Sequence, residues 1–519
     1  MTVSYTNSIK KISGEHPGEN PDYEVVVIGA GISGMGTGIK LLSENIDSFI
    51  ILERAKSVGG TWRDNQYPGI AVDISSFTYS FSFEQNANWS RFFAPGVDLH
   101  NYTKRIGAKY GLYSHIRFNT SVSRAEFDSV NHLWRITLNE GEIMTARHIV
   151  AATGGLISPK DPDIKGLETF EGLKMHTGKW DHSMNLKGKR VAVIGTGATA
   201  VQMVPELAKE VSHLDVYQRT PIWVLKKPDS PVPAWLKSAL RNLPLLQSSL
   251  RVVTDVFSET VMVISFLYYT KVPWLAEMAA KAGVNNMKQQ LPGREDLWEK
   301  LTPVYGFGCK RPTFSNEYFE VFGREEVDLI TTPIECIEKT GIRTTDGELH
   351  PIDILILATG YRVFERGNLP SFEVIGSTGQ DLGAFWEQER HQAYLGVTVP
   401  NYPNYFTIFG PYSFLGTSFF KTVECNSIHA VRCIKEAKKQ NATCVEIKKE
   451  VHDEYFEDIQ RRQQGTIFFN HNCSLANSYY FDVHGDAPML RPSTSMEALW
   501  QAKHFPLTNY SYSKVKVTA

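Results

Sequence analysis

The chain has 519 residues, 42% hydrophobic and 21% charged, values that are ordinary for a globular enzyme of about two to four folding units. Lysine and arginine number 54 and aspartate and glutamate 56, so the chain lacks the excess of positive charge that nucleic-acid binding requires. The six cysteines show no CxxC spacing, which favours a reducing cytoplasm over a disulfide framework or a zinc site, and no metal is predicted.

No apolar core of a signal peptide precedes Tyr23, so a cytoplasmic protein is predicted. The strongest apolar stretch, residues 252–269, is interrupted by Asp255 and Glu259. Its uninterrupted part is about a dozen residues long, whereas a bilayer span needs roughly 20. We interpret the stretch as a buried or a surface-amphipathic helix and expect no integral membrane segment.

The first predicted element is a strand of a parallel sheet. Residues 23–28 (YEVVVI) form a continuous apolar run, as expected for a strand that is covered on both faces. The run leads into Gly29, Gly31 and Gly34, then into a helical stretch and a second strand that ends at Glu53. This order of strand, glycine turn, helix and strand predicts a Rossmann-like dinucleotide-binding unit.

The same unit occurs a second time. Residues 190–194 form an apolar strand, residues 195–200 form the turn, and a helical stretch follows that contains Gln202. The third position of this motif is Ala200, a substitution that the fingerprint tolerates. The next strand ends just before Arg219.

The residue after the second strand of each unit indicates which nucleotide is bound. Glu53 and Arg219 lie the same number of residues after the first glycine of their motifs. A carboxylate accepts hydrogen bonds from a ribose 2′-hydroxyl and repels a 2′-phosphate, whereas an arginine pairs with that phosphate. The first unit is therefore predicted to bind FAD or NAD, and the second NADP.

Two Ala-Thr-Gly sequences, at residues 152–154 and 358–360, follow apolar strands and are interpreted as the places where the chain passes between domains. The predicted fold class is α/β, with two Rossmann-like dinucleotide-binding domains for FAD and NADP and a helical insertion. A second long helical region is expected at 424–464. The predicted order is the FAD domain, first part, 1–153; the NADP domain, first part, 154–227; the helical insertion, 228–307; the NADP domain, second part, 308–356; and the FAD domain, second part, 357–519.

Disulfide reductases share this plan of two nucleotide domains, but they need a redox-active cysteine pair near the flavin. The first 308 residues contain no cysteine. The sequence therefore excludes that class.

Two motifs carry a resemblance to a known family. Residues 170–181 (FEGLKMHTGKWD) resemble the fingerprint FxGxxxHTxxW(P/D) of type I Baeyer–Villiger monooxygenases, which are class B flavoprotein monooxygenases. Residues 59–69 (GGTWRDNQYPG), followed by Asp73, match a second pattern of that family, and the resemblance extends from Tyr23 to about Gly410. Related enzymes that oxygenate nitrogen or sulfur usually have another aromatic residue in place of Trp180, so they are the second candidate.

The resemblance implies FAD and NADP as cofactors and assigns roles to individual residues. The residues implied in FAD binding are Gly29, Gly31, Gly34, Glu53, Thr61, Trp62, Arg63, Asp64, Asp73, Tyr79 and Val122. Those implied in NADP binding are Gly195, Thr196, Gly197, Ala198, Thr199, Ala200, Gln202, Arg219, Thr220, Lys310 and Arg311. A conformational role is implied for His176 and Trp180.

The catalytic residues that the resemblance implies are Arg311 and Asp73. In the family, NADPH reduces the flavin, O2 adds at its C4a atom, and the resulting peroxide must remain an anion to attack a ketone and give an ester or lactone. Arginine stays protonated and can stabilise that anion, and Asp73 would orient it. A non-catalytic NADPH-sensing flavoprotein is a further alternative, and no oligomeric state is predicted.

The C-terminal part departs from the family pattern. The family often has a tryptophan-bearing segment near the C-terminus that reaches toward NADP and substrate. The corresponding segment here, residues 477–486, contains no tryptophan. Aromatic residues that could line an apolar pocket are Phe414, Phe419, Phe420 and Tyr480.

Overall fold

The computed structural model describes residues 20–515, so the polar leader and the last four residues lie outside the described part. In chain order the strands are β1 (Tyr23–Ile28), β2 (Phe49–Leu52), β3 (Ile116–Arg117), β4 (Val122–Asp128), β5 (Leu133–Leu138), β6 (Ile143–Ala151), β7 (Leu173–His176), β8 (Arg190–Ile194), β9 (His213–Tyr217), β10 (Val224–Leu225), β11 (Thr313–Phe314), β12 (Val327–Ile330), β13 (Ile334–Glu338), β14 (Gly341–Thr344), β15 (Leu349–Pro351), β16 (Ile354–Leu357), β17 (Glu373–Ile375), β18 (Tyr405–Thr407), β19 (Cys444–Ile447) and β20 (Tyr510–Ser513).

The α-helices lie between these strands and after them. In chain order they are α1 (Ile32–Ser43), α2 (Thr61–Asp64), α3 (Gly96–Lys109), α4 (Ala198–Leu207), α5 (Ala234–Asn242), α6 (Pro244–Glu259), α7 (Ser265–Leu267), α8 (Pro273–Gln290), α9 (Glu295–Leu301), α10 (Leu382–Glu389), α11 (Phe419–Lys439), α12 (Lys449–Gln463), α13 (Ile467–Asn470) and α14 (Ser495–His504). A π-helical turn, Thr260–Ile264, joins α6 to α7.

The larger sheet has the strand order β17-β4-β5-β6-β1-β2-β3, with β18 paired to β6. Its central strand β1 runs parallel to both β2 and β6, in a register that places Ile28 beside Leu52 and Ala151. All four residues of β2 are buried, because both faces of this part of the sheet are covered. The carboxyl ends of β1 and β2 therefore meet at one edge of the sheet, where the first glycine turn begins.

The second sheet is parallel throughout, in the order β12-β9-β8-β16-β7. Its strands come from residues 173–217 and 327–357, whereas the larger sheet takes its strands from residues 23–151 and 373–407. The predicted α/β fold class is confirmed: each sheet contains one copy of the strand–glycine turn–helix–strand unit. The exact domain boundaries remain a prediction.

The C-terminal part of the chain packs against the first nucleotide unit. Helix α11 lies along α1, and the Thr37 and Ser427 hydroxyl oxygens are 3.0 Å apart across the contact. A Cβ atom on Gly36 would lie 2.7 Å from the side chain of Val423, so glycine is what permits this close approach.

The helical region predicted at 424–464 is present but is divided into two helices. Helix α11 begins earlier, at Phe419, and ends at Lys439; strand β19 follows before α12 begins at Lys449. The helix is interrupted at Asn441, which has φ +51°. Strand β19 pairs antiparallel with β20, a partner about 70 residues later that local sequence does not reveal.

Within residues 20–515, no helix combines the length and the apolar composition needed to cross a bilayer.

Candidate functional site

The first glycine turn fits a dinucleotide pyrophosphate. Gly29 has φ +107°, and a Cβ atom there would lie 2.7 Å from the carbonyl oxygen of Ala152. A Cβ on Gly34 would lie 1.8 Å from the carbonyl oxygen of Gly29, so only glycine allows helix α1 to approach the strand this closely. Helix α1 starts immediately after Gly31 and directs its unpaired N–H groups at the turn, where an anion would be stabilised.

Glu53 is buried at the end of β2 with its carboxylate directed at this turn. It accepts hydrogen bonds from the backbone N–H groups of Ala30 (2.8 Å) and Ala55 (2.9 Å). The Arg63 guanidinium donates a third, over 3.2 Å. A carboxylate has about four acceptor positions, so Glu53 can still accept a ribose hydroxyl, while its charge disfavours a 2′-phosphate.

The segment that follows Gly59 lies against the same turn. A Cβ on Gly60 would lie 3.0 Å from the Cα of Gly31, which places the two glycine-rich backbones in contact. Gly60 is the N-cap of the short helix α2, which holds the predicted FAD-binding residues 61–64. Within it, Arg63 donates to Asp64 (Nε–Oδ1 2.7 Å) in addition to Glu53.

Two further predicted FAD contacts flank this region. Tyr79 lies edge-on to Trp62, with ring centroids 5.6 Å apart. Val122 begins β4 just after Thr120, whose backbone N–H donates to the carbonyl oxygen of Glu53 over 2.9 Å. The structure thus places Glu53, residues 61–64, Tyr79 and Val122 around the first nucleotide unit, whereas the predicted FAD residue Asp73 contacts Arg311.

The second glycine turn repeats the geometry of the first. Gly195 has φ +111°, and a Cβ there would lie 2.5 Å from the carbonyl oxygen of Ala358. Gly197 caps α4, whose first three residues are Ala198, Thr199 and the fully buried Ala200. The Thr196 hydroxyl donates to the carbonyl oxygen of Thr220 over 2.9 Å, which joins the turn to the segment that carries Arg219.

Gln202, on α4, joins the second nucleotide unit to the first. Its Oε1 accepts from the Tyr67 hydroxyl over 3.0 Å, and its Nε2 donates to the carbonyl oxygen of Ala71 over 3.0 Å. Tyr67 lies within the family-like segment 59–69, and Ala71 lies between that segment and Asp73. Gln202 therefore fixes the position of Asp73's loop relative to the second glycine turn.

Arg219 and Lys310 form the cationic part of the second site. Arg219 is exposed, and Lys310 is half-buried on the chain segment before Arg311. Burial, together with the positive charge of Arg219, lowers the pKa of Lys310 to about 8. Two cations that repel each other at the end of β9 fit a dianionic phosphate, which would pair with both.

Arg311 and Asp73 form an ion pair between the two units, although 238 positions separate them in sequence. The contact is two-pronged: Nη2 donates to Oδ1 over 3.0 Å and Nε donates to Oδ2. Burial lowers the pKa of the Arg311 guanidinium, but the ion pair with Asp73 outweighs it, so the pKa lies well above its ordinary value. Arg311 is therefore a permanent cation. Asp73 holds the Nε–Nη2 edge of its guanidinium, and its Cζ lies 5.8 Å from the ring centroid of Phe414.

The C-terminal segment 477–486 completes the surroundings of this pair. Asn477 donates to the Thr220 hydroxyl (Nδ2–Oγ1 3.1 Å), and Tyr480 is buried against Arg311. Burial raises the pKa of the Tyr480 hydroxyl far above its ordinary value, and Tyr479 adds to the rise, whereas Arg311 opposes it. Tyr480 is thus a neutral phenol that can donate a hydrogen bond near the guanidinium.

The other aromatic candidates have two different surroundings. Phe419 packs against Phe414 and Phe409, with ring centroids 6.4 and 5.5 Å away, so it lies near Arg311. Phe420 is fully buried and packs edge-on against Tyr79 at 5.0 Å.

A disulfide joins Cys309 to Cys473, with the Cα atoms 4.9 Å apart. The cysteine spacing, which favoured a reducing cytoplasm over a disulfide framework, did not predict this bond. Sequence could not show it, because the two cysteines are 164 positions apart and neither lies in a spaced motif. Cys309 directly precedes Lys310 and Arg311, and Cys473 begins the turn that leads to Asn477. The bond therefore ties the segment carrying both cations to the segment carrying Tyr480.

His176 ends β7 in the second sheet and lies at the junction between the two units. Its Nδ1 accepts from the backbone N–H of Gly178 over 3.0 Å, and its ring lies edge-on to Tyr361 at 6.0 Å. Tyr361 in turn donates to Asn65 of the first unit (Oη–Oδ1 2.6 Å). Burial lowers the pKa of the His176 imidazole. Trp180, half-buried, packs into the core of the second unit.

Potential metal ligands converge at one place in the described residues. His213, Asp215 and Asp328 bring one ligand atom each within 4.8 Å of one another. They lie near the amino ends of β9 and β12, whereas the second glycine turn lies at the carboxyl edge of the sheet. The group is therefore remote from the Arg311–Asp73 pair.

Comparisons with known proteins define the class to which this site belongs. Residues 26–265 match the family described as pyridine nucleotide-disulphide oxidoreductase. The chain is 33% identical over 497 residues to a Baeyer-Villiger monooxygenase of Pseudomonas aeruginosa, covering 96% of this chain and 92% of that protein. It is 37% identical over 489 residues to the FAD-binding monooxygenase ktnD of Aspergillus niger, covering 91% and 78% respectively.

Solved structures show the same likeness. OTEMO, in complex with FAD and NADP, superposes with a TM-score of 0.84 at 26% identity, covering 95% of this chain and 100% of that chain. Cyclohexanone monooxygenase from Rhodococcus sp. Phi1, bound to NADP+, superposes with a TM-score of 0.83 at 26% identity, covering 95% and 99%. The chain therefore belongs to the Baeyer–Villiger monooxygenase family of flavoproteins.

Proposed function

We propose that this enzyme inserts one oxygen atom from O2 next to a ketone carbonyl and so forms an ester or a lactone. FAD and NADP are its cofactors. Ketone, O2, NADPH and a proton are converted to ester, NADP+ and water. The observation that carries the proposal is the partly buried Arg311–Asp73 ion pair, which joins the loop after the first nucleotide-binding segment to the chain that follows the helical insertion.

The residues around the two turns fit the cofactors. A Cβ atom at Gly29 or Gly34 would clash with backbone carbonyl oxygens at the first turn. The Glu53 carboxylate can accept a hydrogen bond from a ribose hydroxyl of FAD. Arg219 and Lys310 would hold the 2′-phosphate of NADPH. When bound, FAD activates O2 with the electrons that NADPH delivers.

Arg311 would stabilise negative charge during oxygen transfer. Charge develops first on the oxygen that attacks and then on the ketone oxygen, and a fixed cation nearby lowers the energy of both states. Asp73 holds the guanidinium through two parallel contacts, which sets its plane and direction. An arginine buried without such a partner would be costly, so Asp73 also makes the burial of Arg311 possible.

The C-terminal segment would exclude water from this site. Tyr480 is buried at Arg311, and Asn477 contacts Thr220 beside the second turn. Excluding water strengthens the effect of the guanidinium charge and protects a reactive oxygen species from wasteful release as hydrogen peroxide. This tyrosine-bearing segment corresponds in sequence to the one in which the family often carries a tryptophan.

The proposal is tested by incubating the purified yellow protein with NADPH, O2 and a panel of linear, cyclic and aryl ketones, with a thioether as the competing substrate. We expect ester or lactone in near-stoichiometric yield with the NADPH consumed. Sulfoxide as the sole oxygenated product would replace the proposal by the heteroatom-oxygenating alternative. NADPH bound but not consumed with any substrate would replace it by the sensing alternative.

A further inference from the structure

Helix α6, in the helical insertion, presents its apolar side chains to solvent. The residues Leu245, Leu246, Val252, Val253, Val256 and Phe257 are all exposed, Leu245 to 84% and Val253 to 65%. Because an α-helix has 3.6 residues per turn, their spacing places them along one side of α6. A surface helix normally buries such a stripe, and here it is turned outward.

The opposite face of α6 is polar and lies against the protein. Arg251 is buried and donates from Nη1 to the carbonyl oxygen of Ser80 over 3.0 Å. The Thr78 hydroxyl donates to that of Thr254 over 2.8 Å. These contacts fix the rotation of the helix about its axis, so its apolar stripe cannot turn inward without breaking buried hydrogen bonds.

The charged side chains of α5, which precedes the stripe, are both positive. Helix α6 carries two acidic side chains, and both are half-buried and already paired. Asp255 pairs with Lys421 (Oδ2–Nζ 3.1 Å), and Glu259 accepts hydrogen bonds from Ser495. The basic residues Lys237 and Arg241 lie on α5, immediately before the stripe. The exposed Trp235 and Leu243 extend the apolar surface along α5 toward these cations.

Helix α14 extends the same kind of surface from the end of α6. Its first residue, Ser495, is hydrogen-bonded to the Glu259 carboxylate through both its backbone N–H (2.7 Å) and its hydroxyl (2.6 Å). Met496, Trp500 and Lys503 share one face of α14, and Met496 and Trp500 are exposed. Lys503 borders a groove whose other charged residues are Lys40, Glu44, Arg432, Lys435, Glu436 and Lys439, which leave a net positive charge.

We propose that the surface formed by α5, α6 and α14 docks on an anionic lipid surface without crossing it. An outward apolar stripe with tryptophan and cations at its margins has the composition of helices that lie in the plane of a membrane interface. The cations complement anionic headgroups, and the apolar side chains enter the boundary of the acyl chains. A second copy of this chain would place the same cations opposite each other, which is why lipid is the preferred occupant.

The test is co-sedimentation of the full-length holoenzyme with vesicles of phosphatidylcholine, with and without phosphatidylglycerol. We expect binding to the anionic vesicles that weakens as salt is raised, because screening reduces attraction between exposed charges. The double variant Val253→Ser/Phe257→Ser should bind at least about tenfold more weakly, since it removes apolar side chains from the centre of the stripe. The matched control Val130→Ser/Ile143→Ser removes exposed apolar side chains elsewhere and should bind as the wild type does.

Two measurements keep the outcome unambiguous. NADPH oxidation should be equal in both double variants, which shows that they are folded. The proposal is overturned if the wild type stays in the supernatant with anionic vesicles, or if it binds neutral vesicles equally well at all salt concentrations. It is also overturned if light scattering shows a dimer that only Val253→Ser/Phe257→Ser dissociates, without vesicle binding, because the stripe would then be an interface between copies.

Discussion

The turn after β1 and the turn after β8 have almost the same backbone, with Gly29 at φ +107° and Gly195 at φ +111°, each beside an Ala-Thr-Gly carbonyl. They differ in how their charges are satisfied. Glu53 at the first turn already accepts three hydrogen bonds from the protein. At the second, burial and the positive charge of Arg219 both lower the pKa of Lys310 and so disfavour its charged form.

From this difference we propose that the first turn retains its nucleotide and the second exchanges its nucleotide. The first site is organised before a ligand arrives, because its buried charge is already balanced. The second becomes balanced only when an anion enters, so binding and release there are coupled to charge. The ion pair between Asp73 and Arg311 connects the two regions. Asp73 lies two residues after Ala71, whose carbonyl oxygen accepts a hydrogen bond from Gln202 of the second unit.

Among the changes proposed here, removing the Arg311–Asp73 ion pair should have the largest effect on the rate of ester formation. Arg311→Ala should retain FAD but lower the rate of ester formation on the order of hundredfold or more, because it removes the charge that stabilises the developing anion. Arg311→Lys should recover little, since an ammonium cannot reproduce the two-pronged contact with Asp73. Product formation and flavin absorbance measure both effects.

The matched control for that change is Arg343→Ala, which breaks a surface ion pair with Glu338. It should leave the oxygenation rate unchanged. Wild-type rates of ester formation in Arg311→Ala would show that this arginine only holds the coenzyme.

Replacing Arg219 removes one of the two cations that distinguish the second nucleotide site from the first. Arg219→Ala should raise the KM for NADPH about ten- to hundredfold, the cost of losing a charge-assisted hydrogen bond, and leave the KM for NADH nearly unchanged. Steady-state kinetics with both coenzymes measure it. Arg190→Ala, at the opposite end of β8, is the control, because its guanidinium pairs with Asp353 away from the turn. Equal losses with NADPH and NADH would contradict phosphate recognition by Arg219.

The disulfide can be tested as the link between the cations of the second site and the C-terminal segment. Cys473→Ser should increase severalfold the NADPH oxidised without ester formed, because the Tyr480 segment is no longer tied to the Arg311 segment. Cys336→Ser changes a free cysteine and should have no effect. Release of hydrogen peroxide is the readout, and the native chain should lack two hydrogen atoms relative to the reduced chain by mass. Identical coupling in both variants would show that the disulfide does not position the segment.

The pH dependence of coenzyme binding should give the smallest effect. Lys310 has a pKa lowered to about 8, so it is a cation below that pH and neutral above it. As pH rises through about 8, the KM for NADPH should rise severalfold, whereas the KM for NADH should stay flat. Lys310→Met should abolish the difference, and Lys339→Met, at an exposed site, should not. A constant ratio of the two KM values from pH 7 to 9 would contradict a titrating contact, given that one pKa unit corresponds to about 1.4 kcal/mol.

Sequence alone predicted those parts of the molecule that depend on local spacing. The glycine turns, Glu53 and Arg219 follow from a strand–turn–helix pattern that constrains neighbouring residues, and their placement in two sheets agrees with it. The pairing of Arg311 with Asp73 could be predicted only through the family resemblance, because its partners are 238 positions apart. Their geometry is observed here, while their roles remain predictions.

Features that arise from long-range packing could not be predicted. The partner of Cys309 and the strand β19 both depend on segments far along the chain. The orientation of α6 follows from contacts of Arg251 and Thr254 with residues near Ser80, and the amphipathic pattern alone would place its apolar stripe inward. Local sequence shows that such a helix is amphipathic but not which face is covered.

The most direct test of the central claim is ester formation from a cyclic ketone under isotopically heavy O2, followed by mass spectrometry of the product. We predict one heavy atom per lactone, located at the inserted ring oxygen, with an equal amount of NADPH oxidised. Under the same conditions Arg311→Ala should oxidise NADPH and release hydrogen peroxide with little lactone. Lactone without the heavy atom, or heavy oxygen found only on the sulfur of an added thioether, would contradict the account.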